Sequence, residues 1–167
     1  MQYGKSIFQK KPKDAQAVVF LPENYGACPD GIGDNAAALQ KAIDEVAKMQ
    51  LHGIILIPEG NYRFAETVQL WRGIRLIGYG THRPKFFLAD RTPGYDGAAR
   101  EKKYVIHFRD DMPQEGETLF DGLNTSFFGG IRNIDFDLGK ENPNAIACRY
   151  RIAQLCSLED MDFYIVI

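Results

Sequence analysis

Apolar residues recur every three or four positions in one segment of the chain, and this pattern predicts a helix. Between Asn35 and about Met49, one face carries apolar residues and the other carries amide and charged side chains. The apolar face consists of Leu39, Ala42, Ile43 and Val46. Asp34 directly precedes the segment, where a carboxylate accepts hydrogen bonds from the first N–H groups. We therefore expect a helix that Asp34 caps and that packs one face on the core.

After this helix, the pattern changes to short apolar segments separated by Gly, Pro and Asn turns, which is typical of strands. They are IILIP at 54–58, TVQLW at 67–71, IRLIG at 74–78, YVIHF at 104–108, IRNIDFDL at 131–138 and MDFYIVI at 161–167. Their starts recur about 20 to 30 residues apart, which is the period range of solenoid repeats. A shift of 27 residues aligns the last two segments, so that Asp135 corresponds to Asp162 and Phe136 to Phe163.

Strict alternation in these two segments separates a core face from a solvent face. The core face carries Ile134, Phe136, Leu138, Met161, Phe163 and Ile165, and the solvent face carries Asp135, Asp137, Asp160 and Asp162. A two-layer sandwich shows the same alternation, but it favours hairpin turns about every 8–12 residues. The longer spacing in this chain favours parallel coils.

Length and charge agree with one folded domain. The chain has 167 residues, 45% of them hydrophobic, and a formal net charge of −2. Without a long Lys or Arg tract, this charge argues against nucleic acid and anionic membranes as partners. The apolar runs are far shorter than the roughly 18 residues of a membrane-spanning helix. Residues 1–16 are polar and aperiodic, which predicts a flexible N-terminal arm before a folded part over 17–167.

The cysteines and histidines show no spacing typical of a disulfide framework or a metal site. Cys28, Cys148 and Cys156 are odd in number and lack a CxxC pair, so we expect small buried side chains and leave their redox state open. His107 stands in an apolar strand, where a hydrogen-bonded core histidine is expected rather than a ligand. We expect no metal and no other cofactor. No signal peptide is recognised in the sequence.

Three segments near the start of the folded part carry turn, helix and strand signals in a characteristic order: YGACPDGIGDNAAALQKAID at 25–44, IILIPEGNYRF at 54–64 and GIRLIGYG at 73–80. They resemble the opening of the pectate-lyase-like right-handed parallel β-helix family, which reads YGA-x-GDG-x-x-D-x-x-ALQ-x-AID, then IPxGxY and LxGxG. The matching residues are Asp30, Gly31, Asp34, Ala38, Leu39, Gln40, Ala42, Ile43, Asp44, Pro58, Gly60 and Tyr62. Pro29 stands where the family has Gly.

The later segments, IRNIDFDL at 131–138 and NPNAIACRYRIAQLCSLEDMDF at 142–163, are similar to the exo-β-1,3-glucanase and polygalacturonase-related branch. The matching residues are Ile131, Arg132, Asn133, Asp135, Ala153, Gln154, Ser157, Leu158 and Phe163.

The resemblance implies an all-β fold, a right-handed parallel β-helix of few coils with an N-terminal capping α-helix. It also implies the N-terminal part of an extracellular or periplasmic protein that degrades a polysaccharide of the β-1,3-glucan or pectin type. The alternative is a non-catalytic carbohydrate-binding or assembly module of the tail-spike kind, because one fold serves many functions. In the family, the catalytic carboxylates lie in coils beyond the matched segment, so the resemblance implies that this part alone is inactive.

Paired carboxylates are the side chains that hydrolyse glycosides, and this chain offers one such pair on its own. If the 27-residue register holds, Asp135 and Asp162 stack about 4.8 Å apart on successive coils, with Asp137 nearby. These three are the catalytic candidates, and a solvated face with turn-capping aspartates is the plainer interpretation. Trp71 and Tyr79 are the candidates for stacking on a sugar ring.

Two further segments carry expectations about surfaces. The alternating strand that ends at Ile167 predicts self-association, or further C-terminal coils, because an unpaired strand edge pairs with an available partner. The segment between Arg83 and Lys103 is rich in Gly, Pro and charge, which predicts a protruding loop, either a groove wall or a free surface loop.

Overall fold

The computed structural model describes residues 4–49 and 53–166, and in these ranges most of the regular structure is β-strand. The helices are α1 (Pro22–Tyr25) and α2 (Ala36–Met49). The strands are β1 (Val18–Val19), β2 (Asp30–Asp34), β3 (Gly53–Pro58), β4 (Asn61–Phe64), β5 (Val68–Leu70), β6 (Ile74–Tyr79), β7 (Lys85–Leu88), β8 (Lys103–Phe108), β9 (Gly130–Arg132), β10 (Asp135–Asp137), β11 (Ala145–Arg149), β12 (Ser157–Glu159) and β13 (Phe163–Tyr164).

These strands form three parallel sheets that the chain visits in turn. The first sheet has the order β1-β3-β6-β9-β12, the second β13-β10-β7-β4-β2, and the third β11-β8-β5. A complete coil therefore adds one strand to each of the three sheets and stacks on the coil before it. This arrangement is the right-handed parallel β-helix that the sequence predicts, and α2 is its capping helix.

The interior is held by columns of like side chains, and the second sheet carries an aromatic one. The rings of Tyr62, Phe86, Phe136 and Phe163 follow one another at centroid distances of 5.9, 5.6 and 5.7 Å. Phe136 pairs with Phe163 and Ile131 with Leu158, which confirms the 27-residue shift. Stacked aromatic pairs each add about 0.5–1.5 kcal/mol beyond the area that they bury.

The helix α2 covers the open edge of the third sheet with an amide side chain. Its apolar face is buried as predicted, and the side chain of Gln40 reaches the edge strand β5. There Gln40 Oε1 accepts a hydrogen bond from the N–H of Gln69 at 2.7 Å, and its Nε2 donates to the carbonyl of Gln69 at 3.1 Å. Gln40 Nε2 also donates to Asp44, which accepts from the Trp71 indole. One side chain thus replaces the missing neighbour strand.

The two residues before the helix bind backbone groups at the end of β4. The carbonyl of Asn35 accepts the first helical hydrogen bond, from Leu39, so the helix begins one residue later than an Asp34 cap predicts. The N–H of Asn35 donates to the carbonyl of Arg63 at the end of β4. Asp34 Oδ1 accepts hydrogen bonds from the N–H groups of Ala36 and Ala65 at 3.2 and 3.0 Å.

The described part of the N-terminal segment lies against a corner of the coil stack, and the flexible arm over 1–16 stays a prediction. The N–H of Ile7 donates to Asn133 Oδ1 at 3.0 Å, and Asn133 Nδ2 donates to Ser6 Oγ at 2.9 Å. The carbonyls of Gly4 and Phe8 accept backbone hydrogen bonds from the N–H groups of Arg83 and Gly80. The N-terminal segment thus supplies partners for the Asn133 amide, at the corner between β9 and β10.

The expected protruding loop also differs in part. Its first residues, Lys85–Leu88, form β7 inside the second sheet. The remainder folds back on the body through Tyr95, which is fully buried and donates its hydroxyl to the carbonyl of Tyr104. Burial raises the pKa of Tyr95 to about 12. Within the described ranges, no helix has the length and apolar character needed to span a membrane.

We predict that Gln40→Ala destabilises the protein by about 1–2 kcal/mol, because the N–H and C=O of Gln69 lose their partners at a covered edge. Denaturant unfolding followed by circular dichroism measures the change. Lys48→Ala, an exposed change on the same helix, is the control and should shift stability by less than about 0.5 kcal/mol. Equal stability of the two variants would contradict the edge-covering role.

Candidate functional site

The outer face of the first sheet carries two adjoining cavities that together form a groove. One has a volume of about 320 Å³ and the other about 420 Å³, and both are lined by Arg75 and Phe128. The first also touches Asp14, Gln16, Ala17, Gly53, Ile54 and Gly73. The second extends over β9 and β12 to Arg132, Leu155, Cys156, Ser157 and Glu159. We call this surface the first-sheet groove.

The floor of the groove consists of charged and polar side chains that point outward from successive strands of the first sheet. Arg75 alternates outward between the buried Ile74 and Leu76. Its Nε donates to the carbonyl of Phe128 at 2.9 Å, and no carboxylate of the described residues forms a salt bridge with it. Arg132, one coil further on, instead forms ion pairs with Glu159 and Asp160. Within the described residues, Arg75 is thus a groove cation without a carboxylate partner.

Two apolar side chains one coil apart form a wall of the groove. Phe128 and Leu155 are 44% and 67% exposed, and both have left-handed backbones, with φ of 65° and 62°. They are related by the same 27 residues that separate β9 from β12. A left-handed backbone is uncommon for bulky side chains and recurs at functional sites.

The paired aspartates of the sequence analysis lie on the second sheet, away from this groove. Asp135 and Asp162 stand on successive coils as expected, but the guanidinium of Arg83 binds both, at 3.0 and 2.9 Å. Asp135 is buried and also accepts hydrogen bonds from the N–H groups of Asp162 and Gly4. The Asp137 side chain is 13% exposed and lies 3.9 Å from Lys85 Nζ. A catalytic role for these three stays a prediction.

The two aromatic candidates occupy different environments. Trp71 is only 6% exposed, and its indole N–H donates to Asp44 Oδ1 at 2.7 Å, so it joins the capping helix to the third sheet. Tyr79 is half-buried at the end of β6, on the sheet that carries the groove, and burial raises its pKa. Neither residue lines the two cavities of the groove. Sugar binding by Trp71 and Tyr79 stays a prediction.

A polar cluster on the third sheet was not predicted. His107 pairs in register with Gln69 on one side and Arg149 on the other. His107 Nε2 lies 3.0 Å from Asp121 Oδ1, and the Arg149 guanidinium binds the same carboxylate with two nitrogens. Hydrogen bonds from Arg149 hold the pKa of Asp121 well below its usual range. Through Asp121, this cluster fixes a loop to the third sheet. The loop joins β8 to β9 and carries Phe128 near its end.

The groove residues that sequence reasoning missed have a partial signal in the sequence. Arg75 interrupts the apolar run of IRLIG at an outward position, and the 27-residue shift relates Phe128 to Leu155 as it relates Asp135 to Asp162. Asp121 has no such signal, because it stands in an aperiodic loop.

We predict that the polar cluster makes stability decrease as the pH falls below about 6.5. Burial lowers the pKa of His107 below its ordinary 6.5, and the charges of Arg109 and Arg149 lower it further. The hydrogen bond to Asp121 raises this pKa, but by less than burial lowers it. The unfolded chain therefore binds a proton at His107 before the folded one does, which favours unfolding as the pH falls. The Asp121 contribution, from a lowered pKa, is lost only below about pH 4.

Thermal melts between about pH 7 and pH 5 test this prediction, since only the histidine contributes in that window. His107→Gln keeps a donor for Asp121 and should flatten the decline. A wild-type slope in the His107 variant would refute the assignment.

Comparison with known proteins identifies relatives for most of the chain. The family described as "Rhamnogalacturonase A/epimerase, pectate lyase-like" matches residues 21–166. The non-secreted LysM effector LysM19 of Penicillium expansum is 26% identical over 153 residues, which is 85% of this chain and 11% of that protein.

Two solved structures share the fold. ORF18 of Geobacillus virus E2 has a TM-score of 0.54 and 23% identity, over 88% of this chain and 25% of that one. An iota-carrageenase complexed to iota-carrageenan fragments has a TM-score of 0.54 and 14% identity, over 96% of this chain and 30% of that one. The chain therefore spans between about a tenth and a third of the length of these relatives.

Proposed function

Because the chain belongs to the rhamnogalacturonase A/epimerase, pectate lyase-like family, we propose that it binds a polysaccharide chain along the first-sheet groove. The observation that carries this proposal is the continuity of the two cavities across β3, β6, β9 and β12, with Arg75 and Phe128 shared by both. An open cleft with an aromatic wall and a few polar groups on its floor is typical of a ligand site.

The unpaired cation in the groove favours an acidic polysaccharide of the pectin type over a neutral β-1,3-glucan. The Arg75 guanidinium can bind a carboxylate with two parallel hydrogen bonds, and such charge-assisted bonds are about twice as strong as neutral ones. The carboxylate of a uronate ring is the group that this geometry would recognise. The iota-carrageenase that shares this fold is complexed to iota-carrageenan fragments, which supports a glycan as ligand.

We place degradation of that polysaccharide in a longer protein, of which this chain is the N-terminal, groove-bearing part. Hydrolysis needs one protonated and one ionised carboxyl group, about 5 Å apart or about 6.5–9.5 Å apart according to stereochemistry. In the described residues, the pair Asp135 and Asp162 is held by Arg83 and lies on another sheet. The proposal therefore assigns binding to this part and glycosidase chemistry to further coils, in the extracellular or periplasmic space where such polymers occur.

The alternative function is a non-catalytic carbohydrate-binding or assembly module. The ion pairs of Asp135 with Arg83 and of Asp137 with Lys85 favour it, because these carboxylates serve structure. Incubation of the longest natural form with polygalacturonate, alginate and laminarin separates the two functions. An enzyme releases reducing ends or unsaturated uronates, and a binding module retains the polymer without releasing either.

We predict that Arg75→Gln weakens binding of polygalacturonate about tenfold, because a charge-assisted contact is lost. Affinity electrophoresis or calorimetry measures it, and the wild-type affinity should decrease with salt since the contact is exposed. Arg91→Gln changes an exposed arginine that pairs with Glu141 away from the groove and should bind as the wild type does. Wild-type protein that binds laminarin as well as polygalacturonate would exclude the acidic preference.

The last described coil supports a further part of the proposal, association through its free face. Phe163, Ile165 and Val166 are 45%, 66% and 51% exposed, whereas Phe136, one coil earlier, is fully buried. Ile167 lies outside the described residues. A second copy of the chain, or further coils, would cover these side chains.

We predict that the isolated chain self-associates through this face and that Ile165→Lys weakens the association. Light scattering measures the oligomeric state. Leu155→Lys, at an equally exposed leucine of the groove wall, is the control and should leave self-association unchanged. A wild-type monomer would remove this part of the proposal.

A further inference from the structure

We propose that Phe128 is a stacking platform for one sugar ring of the bound polysaccharide, held in a strained backbone conformation that aims its ring into the first-sheet groove. The inference rests on the proposed function and adds the residue that reads the apolar face of the sugar. Leu155, one coil further along the same wall, extends the apolar surface for the next unit of the chain.

The backbone of Phe128 is the first observation. Its φ of 65° is left-handed, although the adjacent Gly129 could adopt this conformation without a steric penalty and does not. The other corner repeat of these coils places left-handed backbone at Asn133 and Asp160, residue types that tolerate it. The Phe128 ring lies 6.1 Å from the Phe127 ring, centroid to centroid, and strain of this kind is kept where the side-chain direction has a use.

Contacts around Phe128 hold that conformation in place. Arg75 Nε donates to its carbonyl at 2.9 Å from the neighbouring coil. Two residues earlier, Ser126 is buried, and its hydroxyl donates to Asp110 at 2.7 Å. The Ser126 carbonyl accepts a hydrogen bond from the N–H of Ala153. The loop is therefore fixed on both sides of the turn, and Arg75 is a positioning residue as well as a cation.

The position of the ring is the second observation. It lines both cavities, so a ligand that follows the groove from one to the other must pass it. It is 44% exposed, and the Arg75 guanidinium lies on the floor beside it. A pyranose ring has a C–H face that packs on an aromatic ring and an edge of hydroxyl or carboxylate groups that a guanidinium can bind. The aromatic wall and cationic floor match both parts of such a ring.

The test compares glycine and alanine at the same position, because both remove the ring and only glycine relieves the backbone. At Phe128, we expect the glycine variant to melt about 2–4 °C higher than the alanine variant. Phe120 is 58% exposed in the same loop, has no left-handed φ and does not line the groove, so it is the matched control. There the order should reverse, because glycine loses more backbone entropy than alanine.

Binding of polygalacturonate to the same variants completes the test. Phe128→Gly and Phe128→Ala should both lose affinity about tenfold, Phe128→Trp should keep it, and the Phe120 variants should bind as the wild type does. Greater stability of Phe128→Ala than of Phe128→Gly would overturn the strain. Unchanged affinity in both Phe128 variants, with a wild type that binds, would overturn the platform alone.

A wild type that binds none of the polysaccharides would overturn the proposed function and the platform with it. A second copy of the chain could cover the wall of the groove instead of a glycan. Size-exclusion chromatography of the Phe128 variants tests for this association. A changed oligomeric state with unchanged glycan affinity would assign Phe128 to a protein interface and refute the sugar platform.

Discussion

The structure depends on how the open edge of the coil stack is satisfied. A parallel β-helix leaves unpaired N–H and C=O groups at its first coil, and buried groups of this kind are costly unless they find partners. In this chain, the Gln40 amide replaces a neighbour strand for β5, and Asn35 and Asp34 do so at the end of β4. The helix that carries these groups also buries its apolar face on the same coils, so one element covers both the edge and the interior.

Once the edge is covered, stacking in register determines what each surface displays. Inward positions repeat as columns such as Tyr62, Phe86 and Phe136, and outward positions repeat as rows that cross the sheets. On the first sheet, this register places Ile77, Arg132 and Glu159 in one row, and Arg75, Gly130 and Ser157 in the neighbouring row. The corners repeat as well, which is why Phe128 and Leu155 share one wall and one backbone conformation. The groove is therefore a consequence of the repeat.

Charge pairing separates the structural side chains from those that are available to a ligand. Asp135 is bound by Arg83, and Asp121 by His107 and Arg149, so these carboxylates fix corners and a loop. Arg75 donates only to a backbone carbonyl among the hydrogen bonds of the described residues. The proposed binding of an acidic polymer rests on this difference between Arg75 and the paired side chains.

Local periodicity was enough to predict α2, most strands and the 27-residue register, because helices and alternating strands depend on neighbours within a few residues. Periodicity missed short strands such as β7, because KFFL lies among turn residues. It also predicted the helix cap one residue too early. The capping role of α2 was implied by the family pattern, whereas the contacts of Gln40 with Gln69 were not. The groove, the Arg83 and Asp121 ion pairs and the strained Phe128 were decided by the tertiary structure alone. Their partners stand 14 to 79 residues apart, and only the stacking of coils brings them together.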